Sequence, residues 1–194
     1  MSSTPPTTAS SSSTTKQHFT PLVCVVDFHH ARGPEIEHWI GAPPGRDPAE
    51  DNDWGLIPYM ALPDGAHSLT EEFSYFTLVH KGGKKEDEQE EETSVFGISC
   101  TQQLDASKLL FKSEDVTRSA VQKAVVALTD RPGEFGRLRE KLSVVTRAWF
   151  AQRDFRDVEI LEVGWFLGVG IRGGLEELLR KIWVLGIVGT CADL

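Results

Sequence analysis

The sequence lacks long apolar runs, an excess of basic residues and closely spaced pairs of cysteines. In residues 164–194, charged side chains interrupt the apolar stretches, so no segment reaches the roughly 20 apolar residues that a membrane-spanning helix needs. A formal net charge of -9 opposes binding to phosphate backbones. The three cysteines, an odd number without C-x-x-C spacing, predict buried free thiols in a reducing compartment. We therefore expect a cytoplasmic protein without direct membrane insertion and without a nucleic-acid partner.

What the sequence contains is enough apolar material for one folded domain. Hydrophobic residues make up 40% of the 194 residues and charged residues 25%, as in soluble globular proteins. Residues 1–20 form a Ser/Thr/Pro-rich leader that we expect to be disordered, because it has too little apolar surface to offset the entropy of ordering. The folded domain is expected at 21–162, with an acidic, solvated loop at 81–93 whose like charges repel. A divergent Gly-rich segment occupies 163–194.

Hydrophobic patterning predicts an α+β fold. Five short runs have the alternation or the β-branched content of strands: 21–28, 35–40, 72–80, 94–101 and 121–128. The first two are separated by a turn signal and predict a hairpin. Over 136–153, apolar residues recur at spacings of three and four, which predicts an amphipathic helix that covers the sheet through Leu138, Leu142, Val145 and Trp149.

Two further packing features are expected around the sheet. Residues 41–70 are rich in Pro, Gly and Asp and predict an ordered surface excursion. Its anchor to the core is expected to be Trp54, Ile57, Tyr59 and Leu62. In the fourth strand, Gly97 predicts that another stretch of backbone approaches closely.

The end of the first strand carries polar side chains that could support chemistry. Asp27 is followed by His29 and His30, and a carboxylate beside imidazoles could bind zinc or transfer protons. Successive residues of a strand point to opposite faces, so the two histidines are not expected to converge. Capping of the strand end by polar side chains is the favoured interpretation.

A second polar group surrounds Asp64 and His67. With Ser68 or Ser99 as nucleophile these residues could form a hydrolytic site. No Gly-x-Ser-x-Gly elbow is present, and Pro-Asp-Gly is a strong turn signal, so a structural turn is favoured. The Gly-rich pieces match neither the P-loop nor the dinucleotide-binding fingerprint. We expect no enzyme active site, no cofactor and no metal, with a small metal-dependent or serine hydrolase as the alternative.

Several long motifs carry a resemblance to a known family. They are the stretches 26–37 (VDFHHARGPEIE), 59–67 (YMALPDGAH), 95–100 (VFGISC), 115–126 (DVTRSAVQKAVV) and 148–155 (AWFAQRDF). In this order they resemble the late-secretory-pathway DENN family of the Avl-nine type, over roughly residues 21–162. The resemblance implies a longin-like upstream DENN lobe: a five-stranded, mainly antiparallel sheet with packed helices.

The same resemblance implies a function in vesicle traffic. Members act in transport from the Golgi to the plasma membrane, and DENN modules promote GDP release from Rab-type GTPases. We therefore expect part of a guanine-nucleotide exchange factor or adaptor, held at Golgi or secretory membranes through partners. Since the family continues into further lobes, the chain is expected to be incomplete, and a non-functional fragment is an alternative. The expected partner-binding residues lie in two matched turns: His29, His30, Arg32, Glu35, Asp64 and His67.

Overall fold

A computed structural model describes residues 19–62, 71–81, 92–112 and 116–162. Most of the predicted leader and acidic loop, and the whole Gly-rich segment, lie outside these residues. The described part contains five strands, three longer helical elements and a helical turn at 159–162. The named elements follow in the order β1 (Leu22–His29), β2 (Gly33–Ile40), α1 (Pro48–Asn52), α2 (Ile57–Ala61), β3 (Glu71–Lys81), β4 (Glu92–Asp105), β5 (Ala120–Thr129) and α3 (Phe135–Gln152). Short 3₁₀ turns at Ala106–Lys108 and Pro132–Glu134 precede β5 and α3.

The five strands form one sheet with the order β2-β1-β5-β4-β3. Every pairing in the described residues is antiparallel, which confirms the predicted α+β class and the antiparallel sheet. β1 and β2 form the expected hairpin, with a β-bulge opposite Val25 and Val26. The central strand β5 is buried along nearly its whole length, because both faces of the sheet are covered. β2 and β3 form the two edges.

Each face of the sheet packs against a different layer, since side chains alternate between faces along a strand. On one face α3 covers Val23, Val25, Ile98, Cys100 and Val125. On the other face the segment of α1 and α2 covers Cys24, Val26, Val95, Ala124 and Val126. Cys24 and Cys100 are therefore buried free thiols on opposite faces, and burial raises the pKa of both, that of Cys100 to about 12.

Helix α3 covers the sheet as its periodicity predicts. Leu138, Leu142, Val145 and Trp149, the expected inner face, are all at most 6% exposed. Burying a side chain of this size contributes about 1.5–3 kcal/mol relative to leaving it in water. The helix ends at Gln152 and is capped by Arg153, which has a left-handed backbone (φ 58°) and whose N–H bonds to the carbonyl of Phe150 at 3.1 Å.

The excursion after β2 contains two one-turn helices that the sequence pattern was too short to reveal. Asp47 caps α1 by accepting a hydrogen bond from the Ala49 N–H. The carbonyl of Ala61, at the end of α2, accepts hydrogen bonds from the buried hydroxyls of Ser99 at 3.1 Å and Thr101 at 3.0 Å. These bonds satisfy a helix-end carbonyl that has no partner within its own helix.

The predicted anchor of this excursion is correct for three of its four residues. Trp54, Ile57 and Leu62 are buried against the sheet, and the indole of Trp54 donates to the carbonyl of Val79 at 2.7 Å. The prediction for Tyr59 is wrong, because its side chain is 60% exposed. In a helix the residue two positions after a buried one points away from it, and Ile57 takes the inward position.

The prediction for Gly97 is right about crowding and wrong about its source. A Cβ at this position would overlap the ring of Phe76 on the neighbouring strand β3. The aromatic ring, and not a backbone segment, therefore occupies the space above the glycine. Phe76 and Gly97 are Cα partners in the β3–β4 ladder, so the aromatic side chain lies across its own cross-strand neighbour.

Replacing Gly97 with alanine is expected to lower the free energy of unfolding by about 1–3 kcal/mol, because the methyl group would overlap the Phe76 ring. In a Phe76→Leu background the Gly97→Ala substitution should lower the free energy of unfolding by less, since the smaller leucine side chain can move away from the added methyl group. Gly55→Ala is the control, because a methyl group added there would meet no atom within 4 Å. Urea unfolding measures the effect of each substitution. If Gly97→Ala lowers the free energy of unfolding equally in the Phe76 and the Phe76→Leu backgrounds, the overlap with the Phe76 ring is not the cause.

Candidate functional site

A groove of about 470 Å³ lies beside the turn that joins β1 and β2, on the side of the sheet that α3 covers. Its floor comes from the ends of β1, β2 and β5. Its walls come from Leu109, Phe111 and Val116 and from the segment that follows α3. Helix α3 ends at Gln152, before it reaches this end of the sheet. The groove is thus the part of the α3 face that the helix leaves uncovered.

Lys123 forms the charged centre of the groove floor. It is only 5% exposed, and its Nζ lies 2.9 Å from Oδ1 of Asp27 and 2.5 Å from Oε2 of Glu37. Asp27 is its cross-strand partner on β1. Glu37 reaches it because the β-bulge gives β2 one extra residue there, between the partners of Val25 and Val26. Two carboxylates from two strands therefore neutralise a buried ammonium group.

His29 organises the turn at the end of the groove. Its Nδ1 accepts hydrogen bonds from the N–H groups of Ala31 and Arg32, both at 3.2 Å. A neutral imidazole has one donor and one acceptor nitrogen, so Nε2 carries the hydrogen. Within the described ranges Nε2 of His29 and Nδ1 of His30 are buried and have no hydrogen-bond partner. The capping interpretation of this strand end is thereby confirmed for His29.

The wall after α3 is built from aromatic and charged side chains. The guanidinium of Arg156 stacks on Phe111, with 3.7 Å between Cζ and the ring centroid, and it pairs in a fork with the carboxylate of Asp154. Phe155 faces Nζ of Lys123 at 5.4 Å. A hydrogen bond of 2.8 Å from the Leu110 N–H to the Arg153 carbonyl joins the two wall segments.

Two ion pairs at the rim of the groove are held in their charged forms. The guanidinium of Arg32 donates to Glu35 at 2.5 and 2.8 Å, and these bonds lower the pKa of the Glu35 carboxyl. The bonds from Arg156 lower the pKa of Asp154 to about 2. Both pairs are exposed, so they shape the surface charge of the groove more than they stabilise the fold.

The structure brings four of the six predicted partner-binding residues together. His29, His30, Arg32 and Glu35 all line the groove. The expectation that the two histidines diverge is wrong, because His30 lies in the turn and not in the strand, and the two ring centroids are 6.5 Å apart. The other two predicted residues, Asp64 and His67, lie outside the described residues.

The residues of the alternative hydrolytic site do not converge where the structure describes them. The side chain of Ser99 is fully buried, and its hydroxyl is engaged by the end of α2 on the face of the sheet opposite to the groove. Among the described residues no group of three or more His, Cys, Asp or Glu side chains is arranged to hold a metal ion. No helix in the same residues is both long and apolar enough to cross a membrane.

Sequence reasoning missed the centre and the wall of the groove. Lys123 is a charged residue within the otherwise apolar run of β5, and this anomaly was a usable signal. Phe111 and Arg156 carried no such signal, because they lie in irregular segments that only the fold brings together.

Comparison with known proteins places the chain among transport proteins. Residues 20–166 match the family described as "Transport protein Avl9". The late secretory pathway protein AVL9 of Saccharomyces cerevisiae is 44% identical over an alignment of 151 residues, and this alignment covers 72% of this chain and 19% of the yeast protein. Its counterpart in Schizosaccharomyces pombe is 45% identical over 139 residues, 72% of this chain and 27% of that protein.

The chain spans about a fifth to a quarter of the length of these curated relatives. No solved structure shows a significant match. The matched region extends from the first residues before β1 to the segment after α3 and thus includes every strand and helix of the described fold. The chain belongs to the Avl9 family of transport proteins.

Proposed function

We propose that residues 21–162 are a longin-like upstream DENN lobe that acts in late secretory traffic and binds a Rab-type small GTPase through the groove. The observation that carries the proposal is the match of residues 20–166 to the Avl9 family, whose two relatives described above are named late secretory pathway proteins. The protein would act on the cytoplasmic side, associated peripherally with Golgi or secretory membranes through its partners.

The composition of the groove supports a protein partner. Interfaces are enriched in aromatic and arginine side chains, and the groove presents Phe111 at 51% exposure beside Arg156. Arg32 extends from the opposite rim with a side chain that is 62% exposed. Four carboxylates and three cationic side chains line the groove together, which suits a partner surface of mixed charge. Asp64 and His67, which lie outside the described residues, stay predicted partner-binding residues.

The proposed action is exchange by differential affinity. A protein that binds the nucleotide-free GTPase more tightly than the GDP-bound form must weaken GDP binding by the same factor. No bond of the protein or of the nucleotide needs to break in this step. The lobe contributes one binding surface to this process, and its contribution is measurable as the ratio of its affinities for the two forms of the GTPase.

The test is GDP release and direct binding with this chain. Fluorescent GDP is loaded onto a panel of secretory Rab GTPases, and release is followed at increasing concentration of the chain. Binding of the nucleotide-free and GDP-bound forms is measured in parallel. We expect at least one GTPase to bind more tightly when nucleotide-free, and Arg32→Glu to weaken that binding at least tenfold, because it places a carboxylate beside Glu35 on the groove rim.

Arg46→Glu is the matched control. Its side chain is 64% exposed, it pairs with Asp51, and it does not line the groove. This variant should bind like the unmodified chain. If no member of the panel binds the folded chain, the proposed function is wrong. If Arg32→Glu and Arg46→Glu weaken binding equally, a GTPase partner stands but the groove is the wrong surface.

A further inference from the structure

The floor of the groove has more negative than positive charge. The carboxylates of Asp27 and Glu37 share a single ammonium group, with Oδ1 of Asp27 at 2.9 Å and Oε2 of Glu37 at 2.5 Å from Nζ of Lys123. Two carboxylates and one ammonium leave one negative charge in excess. The nearby His29 adds no positive charge, because its Nδ1 accepts two backbone hydrogen bonds and the imidazole is therefore neutral.

The two ion pairs at the rim do not offset the charge of the floor. In each pair both carboxylate oxygens are bound by one guanidinium: Glu35 by Arg32, and Asp154 by Arg156. Each pair is therefore neutral in itself. Four carboxylates and three cationic side chains line the groove among the described residues, so the excess negative charge has no counter-charge in the lining.

Glu37 is the floor carboxylate that a partner can reach. Its side chain is 45% exposed, whereas that of Asp27 is 19% exposed. Glu37 binds Lys123 through Oε2, and no hydrogen bond within the described residues reaches Oε1. An ionised carboxylate can accept several hydrogen bonds on its two oxygens. Glu37 can therefore bind a second cation without releasing Lys123.

The wall beside the floor already binds one guanidinium group. Arg156 stacks on Phe111, yet the side chain of Phe111 is still 51% exposed, so part of its ring surface is open. Phe155 lies 5.4 Å from Nζ of Lys123, so this ring faces the position of a cation. A carboxylate beside aromatic rings attracts arginine in particular, because a guanidinium is planar, stacks on rings and pairs with carboxylates.

We propose that the floor of the groove binds an arginine side chain of the protein partner, whose guanidinium donates to Oε1 of Glu37 beside the aromatic wall. The volume of about 470 Å³ lies within the range of ligand pockets, about 300–1,000 Å³. Arg32 and Arg156 at the rim suit acidic groups of the same partner. The inference rests on the proposed function, because it names the chemistry of the GTPase surface that enters the groove.

The arginine site can be tested without a GTPase. N-acetyl-arginine methylamide is titrated into the isotope-labelled full chain, and the backbone amide NMR signals are followed. N-acetyl-citrulline methylamide is the neutral analogue of nearly the same shape. We expect the arginine probe to shift the signals of Glu37 and Lys123 and to bind about tenfold more tightly than the citrulline probe, because only arginine makes a charge-assisted hydrogen bond.

Glu37→Gln keeps the size of the side chain and removes its charge, so this variant should bind the two probes equally. Glu50→Gln is the matched control, because it makes the same change at an exposed glutamate of α1, which packs on the opposite face of the sheet. It should keep the preference for arginine. Circular dichroism and the melting temperature show that both variants are folded. Equal binding of the two probes to the unmodified chain, or a preference that Glu37→Gln leaves intact, would overturn the proposal.

The GTPase panel separates this inference from the proposed function. If a GTPase binds, we expect Glu37→Gln to weaken that binding about tenfold and the arginine probe to compete with it. If the arginine probe binds the groove and no GTPase does, the proposed function is wrong and the arginine site stands. If a GTPase binds equally to the unmodified chain and to Glu37→Gln, the arginine site is wrong and the GTPase partner stands.

Discussion

Substituting Trp149 with alanine is expected to lower the free energy of unfolding by about 3–5 kcal/mol. The side chain is fully buried on the inner face of α3, and its ring centroid lies 5.7 Å from that of Phe150 and 4.8 Å from that of Phe155. Its indole N–H donates to the carbonyl of Asp157 at 2.9 Å. The substitution therefore leaves a large cavity and an unpaired carbonyl. Urea unfolding and the melting temperature measure the effect.

Two companion variants separate the causes. Trp149→Phe keeps an aromatic ring and removes the indole N–H. We expect it to lower the free energy of unfolding by about 1–3 kcal/mol, because the hydrogen bond is lost and the ring is smaller. Tyr59→Ala, at a side chain that is 60% exposed, should change stability by less than about 0.5 kcal/mol. A cost below about 1 kcal/mol for Trp149→Ala would mean that this aromatic cluster does not hold α3 and the groove wall together.

Replacing Lys123 with methionine is expected to cost about 2–3 kcal/mol of stability. Removing one member of a buried ion pair typically costs about 3–5 kcal/mol, because the remaining charge stays buried and unpaired. Here the penalty is smaller, since the side chains of Asp27 and Glu37 are 19% and 45% exposed and keep part of their hydration. Methionine has nearly the same length, so the loss of charge dominates over the loss of volume.

A second substitution should recover part of this loss. Asp27→Asn removes the carboxylate that Lys123→Met leaves unpaired, so the double variant should be more stable than the Lys123 variant alone. Lys81→Met is the control, because Lys81 forms an exposed ion pair with Asp53 and should cost less than about 1 kcal/mol. Urea unfolding of these variants measures the coupling. Additive effects of the two groove substitutions would show that Lys123 and Asp27 do not interact.

The regular elements were predictable because their signals are local. Alternation along β1 to β5 and the three-and-four spacing over α3 depend only on nearby residues, and all six elements form where these patterns occur. The one-turn helices α1 and α2 were missed, since five residues are too few to show a helical period. Because α2 was not predicted, Tyr59 was expected to be buried, whereas the helix turns its side chain toward solvent.

The polar contacts of the groove depend on register and strand order. Lys123 meets Glu37, 86 residues away in the sequence, only because β1 lies between their strands and the bulge of β2 adds a residue at the right level. His29 and His30 converge because the strand ends between them. Neither contact can be recognised from the neighbouring residues. The alternation rule for strands therefore predicted that the two histidines point to opposite faces of the sheet.

The sequence by itself determined the α+β class, the hairpin, the covering helix and the family, since periodicity and long matched motifs are properties of consecutive residues. Only the tertiary structure decided which side chains share the groove and which carboxylates bind the buried Lys123. Those outcomes depend on how distant strands align. A shift of one residue in that alignment turns every side chain of a strand to the other face. The periodicity within each strand does not show which residues of distant strands lie opposite each other.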